Sequence, residues 1–203
     1  MDLALFVLRI VVGGLFAAHG AQKLFGSFGG HGLAGTGQFF EQLGLKPGER
    51  HARLAGWAEF GGGLLLVVGF LTPLAAAAII GTMTVAILAV HAAKGWQNTD
   101  GGYEYNVVLG AAAFALAAAG PGAWSLDSAF GLSWGAGWGF VALAAGILGG
   151  VGMLIKARGQ EREQVATQPT VSQPVAEPRF SREPVPAGER VVDPVEPVDL
   201  ERR

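Results

Sequence analysis

Five long apolar runs, nearly free of charge, decide what this chain can become. They cover residues 3–25, 54–70, 74–93, 103–120 and 138–155. Residues 1–155 carry only 13 charged side chains: Arg9, Lys23, Lys46, Arg50, Arg53, Lys94 and seven acids. Residues 156–203 carry the other 17. A soluble helical bundle would need a polar face on every helix, and only the ends of these runs have one. A membrane-spanning helix needs about 20 mostly apolar residues, which each run reaches or approaches. The expected fold class is therefore all-α and integral to a membrane.

The same composition excludes much. The formal net charge is −2 with no basic block, so no nucleic-acid partner is expected. There is no cysteine, hence no disulfide and no thiolate metal site, and no metal is expected. Phosphate-binding and hydrolase motifs are absent. Asp2 ahead of the first run and Arg9 inside it argue for a retained helix rather than a cleaved leader. Thr72-Pro73 separates the second and third runs, and Gly120-Pro121-Gly122 ends the fourth. Trp57, Trp96, Trp124, Trp134 and Trp138 fall near run ends, as an interfacial aromatic belt would.

Lys and Arg also fall on one side. With five spans, Lys23, Lys46, Arg50, Arg53, Lys94, Lys156, Arg158 and Arg162 share a face, and the opposite connections carry none. The positive-inside rule puts that face, and the C-terminal tail, in the cytoplasm. Arg9 lies near the outer end, where it could snorkel. Phe39, Phe40 and Leu43 share a face of a short amphipathic helix, at the interface or folded over the bundle mouth. Gly135/Gly139 and Gly146/Gly150 have the spacing of close helix contacts. From residue 160 onward, Pro, Val, Glu and Arg without periodicity predict disorder.

Ionisable residues within spans are costly and mark candidate sites. Arg9, Phe16, His19 and Lys23 form one stripe on the first helix. At ~1.5 Å per residue, His19 lies about 7 Å from the helix end near Leu24. Glu59, on the returning second helix, comes to a similar depth. His91 and Lys94 end the third run, and Glu104 and Asn106 begin the fourth. One end of the bundle thus gathers His19, Gln22, Lys23, Glu59, His91, Lys94, Glu104 and Asn106. An ionised Glu59 needs a cation or a proton, with His19 or Lys23 nearest by depth. A His–Glu pair in low dielectric suits proton exchange with a quinone or quinol. An ion-pair network that fixes helix packing explains the same residues.

At these positions the chain resembles the DoxX family of small membrane proteins. The resemblance is carried by Arg9-xxx-Gly13-xx-Phe16-xx-His19-Gly20-xx-Lys23-Leu24-Phe25-Gly26, by Glu59-xx-Gly62-Gly63, by Gly102-Tyr103-Glu104, and by Gly120-Pro121-Gly122-xx-Ser125-Leu126-Asp127. It covers about residues 3–130 and implies a four-helix membrane bundle linked to membrane redox systems. Related proteins are described as the small quinone-associated subunit of thiosulfate:quinone oxidoreductase or quinol oxidase. No donor-oxidising site is visible, so thiosulfate is not carried over. The fifth run and the tail depart from the four-helix pattern.

The expected organisation is a DoxX-like four-helix bundle over residues 1–130, an additional transmembrane helix over 131–158, and a disordered cytoplasmic tail over 159–203. The expected function is a component of a respiratory or redox-stress oxidoreductase assembly in the cell membrane, with a quinone as the candidate cofactor. His19 and Glu59 would exchange protons. Lys23, His91, Asn106, Glu104 and Arg9 would bind the cofactor, with Arg9 securing the outer half. Expected partners are the bilayer, proteins of the redox assembly, or a second copy of the chain. The alternative is a non-enzymatic scaffold or small-solute permeation protein whose polar cluster serves assembly.

Overall fold

A computed structural model describes the backbone of residues 1–167 and the side chains of residues 1–159. The described residues contain helices and no strand. The elements are α1 (Asp2–Phe25), α2 (Gly32–Gln42), α3 (Gly48–Val68), α4 (Thr72–Ala86), α5 (Glu104–Ala119), α6 (Leu126–Ala129) and α7 (Gly137–Thr167). A π-helical turn, Ile87–His91, and a short 3-10 turn prolong α4, so its helix continues to Lys94. By length and composition, Asp2–Phe25, Thr72–Lys94 and Gly137–Gly159 can each cross a bilayer. The α5 helix is apolar but has 16 residues, about 24 Å at 1.5 Å per residue. The α3 helix is longer than the apolar run predicts, because Gly48–Arg53 adds a polar, charged start to it.

The helix pairs follow from small residues. The α1 helix packs chiefly on α3. A β-carbon at Gly63 would stand 2.4 Å from the Ala17 backbone nitrogen, and one at Gly13 would stand 2.6 Å from the Gly63 oxygen. Only glycine allows this approach, and both helices bring one to the crossing. The α7 helix lies against α4 and α5. There Gly146 meets Ile80 and Ala77, and Gly150 meets Gly81 and Thr84. The Gly146/Gly150 spacing therefore serves a contact within the chain. Between the helices lies an apolar core that includes Phe16, Leu66, Ile79, Leu116 and Ala142. A second cluster, Phe40, Leu45, Ala52, Leu154 and Ala157, joins α2 to α3 and α7.

The α7 helix continues past Arg158, where the apolar pattern ends, to Thr167. From residue 168 onward, the tail expected to be disordered lies outside the described residues. The turn between α3 and α4 is held by a residue far along the chain. Gly69 ends α3 in the left-handed conformation, and Leu71 adopts φ 46°, ψ 47°, which costs a leucine about 1 kcal/mol or more. Asp127 holds this turn: its carboxylate accepts from Leu71 N at 2.8 Å, Thr72 N at 3.0 Å and Thr72 Oγ1 at 2.7 Å.

Candidate functional site: a cavity with one polar end

A cavity of about 610 Å³ opens among α2, α3, α4, α5 and α7, with His19 and Lys23 of α1 at its edge. Its walls are mostly apolar, because α4 and α7 turn alanines and glycines toward it: Ala77, Gly81, Ala86, Gly146 and Gly149 among them. Small side chains leave volume that leucines would fill. Phe39 and Phe40 of α2, with Leu43 just after it, also line the cavity, so α2 contributes to its wall.

The polar groups sit together. Lys23 donates to the Glu59 carboxylate, an ion pair that ties α1 to α3. Glu59 is buried, so its partner offsets a desolvation that an isolated carboxylate could not bear. His19 lies within electrostatic reach of both charges. His91 closes the π turn, and its Nδ1 lies 2.6 Å from the Gly101 oxygen. Asn106, in the first turn of α5, is buried and directs its amide nitrogen to Met83 Sδ at 3.4 Å. His19, Lys23, Glu59, His91 and Asn106 all line the one cavity. Four of them come from the ends of α1, α4 and α5, and Glu59 comes from within α3.

Two sequence candidates stand elsewhere. Glu104 accepts from the Asn98 backbone nitrogen at 3.1 Å and is spent on the loop before α5. Arg9 is fully buried toward the other end of α1. It does not snorkel. Its guanidinium donates to the backbone oxygens of Val67, at 3.2 Å, and Trp124, and lies 5.6 Å from the Phe6 ring centre. These carbonyls are free because α3 is ending and the chain after α5 is irregular, so Arg9 satisfies orphan acceptors.

Arg9 belongs instead to a second polar centre that was not singled out from the sequence as a site. Asp127 is fully buried. Besides the α3–α4 turn, it accepts from Trp134 Nε1 at 2.8 Å, and its own N–H donates to Gly69 O at 2.8 Å. The available signal was the serine three residues ahead of Ser128: Ser125 Oγ accepts from Ser128 N at 3.1 Å, capping α6 and fixing Asp127 in its first turn. Tyr105, Met83 and the α7 wall of the cavity were also not foreseen, since each depends on which helices become neighbours.

Residues 4–92 match the family model named DoxX. The chain is also 32% identical over 135 residues to Inner membrane protein YqjF of Escherichia coli (strain K12), covering 66% of this chain and 96% of that protein. No solved structure matches.

Proposed function

The chain belongs to the DoxX family, and from that premise we propose that it is the quinone-binding membrane component of a respiratory or redox-stress oxidoreductase assembly. One observation carries this: a single cavity combines an apolar wall with hydrogen-bonding groups confined to one end. Its volume of about 610 Å³ lies within the range that small amphipathic ligands occupy. A quinone has that chemistry, with a flat polar ring and an apolar chain. In this proposal, Lys23 and Asn106 bind the ring oxygens, and His19 and Glu59 exchange protons with them. We assign the Lys23 end of the bundle to the cytoplasmic face of the cell membrane. Supporting this are the one-sided Lys and Arg distribution and a relative named as an inner membrane protein.

The test is binding of decylubiquinone to the full chain in lipid nanodiscs, together with mass spectrometry of what co-purifies. Saturable binding that weakens about tenfold or more in Glu59→Gln or His19→Ala supports the proposal. No co-purified quinone, with binding unchanged in both variants, overturns it.

A second reading is favoured by the Lys23–Glu59 contact itself, which joins the most closely packed helix pair. Under it the pair serves only packing of a scaffold. Lys23→Met/Glu59→Gln, which removes both charges, would then restore the stability that Glu59→Gln loses. It would do so without affecting any bound quinone.

A further inference from the structure

The outward face of α3 changes character along its length. Arg50, Arg53, Trp57, Gly61, Leu64 and Val68 recur at intervals of three and four residues, so they form one stripe of the helix. All are exposed except half-buried Gly61, and none of them lines the cavity. From its N-terminal end the stripe runs through two cations, an aromatic ring, a gap and two aliphatic side chains. An added carbon at Gly61 would meet nothing within 4 Å, so the gap is open.

The level of the stripe in the membrane follows from α1. Phe25 is the last residue of α1, a helix long and apolar enough to span. Its ring centre lies 6.2 Å from that of Trp57 and 5.6 Å from that of Phe60, and those two are 5.9 Å apart, all edge to face. A packed aromatic cluster at the end of a span belongs at the boundary between hydrocarbon and headgroups, where tryptophan is favoured. At ~1.5 Å per residue, Arg53 and Arg50 stand about 6 and about 10 Å beyond Trp57, away from the apolar part of α3. The headgroup layer is about 5–8 Å deep on each side of a bilayer, which places Arg53 within it and Arg50 at its outer edge.

Charge decides the occupant. Among the described residues, neither Arg50 nor Arg53 makes an ion pair or a side-chain hydrogen bond. The adjacent acid, Glu49, lies toward α2: a β-carbon at Gly37 would stand 3.0 Å from its Cγ. Two guanidinium groups one turn apart suit phosphate oxygens, which they bind through paired N–H donors. A second copy of the chain packed on this face about a two-fold axis would bring arginine toward arginine. A free phosphate would use the arginines and leave the rings and the gap unmatched. We propose that this face is a binding site for an anionic phospholipid. Arg53 and Arg50 hold its phosphate, its glycerol region rests on the rings of Phe25, Trp57 and Phe60, and one acyl chain lies over Gly61 against Leu64 and Val68.

The test is native mass spectrometry of the full chain, titrated in mild detergent with phosphatidylglycerol or with phosphatidylcholine of the same acyl chains. Phosphatidylglycerol should bind about tenfold tighter or more. Arg50→Gln/Arg53→Gln should abolish that preference, and Arg53→Gln alone should reduce it several-fold, with the unfolding midpoint unchanged because both side chains are exposed. Trp57→Leu should weaken both lipids and keep the preference. Lys156→Gln/Arg158→Gln removes the same charge from exposed positions on α7 and should change nothing. Equal binding of the two lipids overturns the proposal. So does an equal loss in the α7 variant, which would mean attraction to charge at large. Displacement of the lipid by an equal concentration of glycerol 3-phosphate would make this a free-anion site, and a dimer that the arginine variants dissociate would give the face to a second copy; either overturns it too. The cavity and its ligand are untouched by any of these outcomes.

Discussion

Buried charged residues in this bundle do two different jobs. Glu59 pairs with half-buried Lys23 at the cavity, while Asp127 and Arg9 satisfy backbone groups where helices end. Asp127→Asn would turn an N–H toward donors that now share a carboxylate. We expect a loss of about 2–4 kcal/mol, read as a lower unfolding midpoint in detergent, with the cavity ligand still bound. His51, in the first two turns of α3 and ahead of the apolar span, gives a pH prediction. Burial pushes its pKa below the usual 6.5, the Lys46 backbone opposes this, and Arg50 adds to the lowering. The unfolded chain then binds this proton more readily, so the stabilisation is complete above about pH 6.5 and declines as pH falls below it. The unfolding midpoint should drop between about pH 7.5 and about pH 5.5, and His51→Gln should flatten that slope. His19, Lys23 and Glu59 were legible in the sequence because a charge inside an apolar run is anomalous. Asp127 was not, because an acid between apolar runs is ordinary until its short helix is seen to fold inward.

Helices pair here through what they lack. Gly63→Leu should prevent α1 and α3 from closing, since the first added carbon already meets backbone. Little folded protein should survive size-exclusion chromatography. Gly152→Ala, where an added carbon meets nothing within 4 Å, should be neutral or stabilise by up to about 1 kcal/mol through helix propensity. The existence and most boundaries of the long helices follow from hydropathy and from Pro73 and Gly120. The partners do not. In so glycine-rich a chain, Gly146/Gly150 and Gly135/Gly139 have the same spacing. Yet Gly150 sits against Gly81, while an added carbon at Gly135 would meet nothing within 4 Å. The polar start of α3 escaped hydropathy because charged residues continue a helix as readily as apolar ones once it is outside the lipid.

At the scale of the whole molecule, the cavity is a product of the long described helices, and the small side chains that leave its volume matter as much as its polar groups. Gly149 lines it and has open space where a side chain would begin. Gly149→Phe should fill that space and cut ligand binding about tenfold or more, with the unfolding midpoint little changed. Glu104→Gln, outside the cavity, should leave binding as it is. The far wall belongs to α7, which packs on α4 although the two are separated by α5 and α6 in the chain. Synthesis runs from the N-terminus, so the ribosome delivers His19, Glu59, His91 and Asn106 before it delivers Gly146 or Met153. Until then the cavity is a cleft without its far wall, and α7, arriving after the polar groups it will face, supplies the small side chains that complete it.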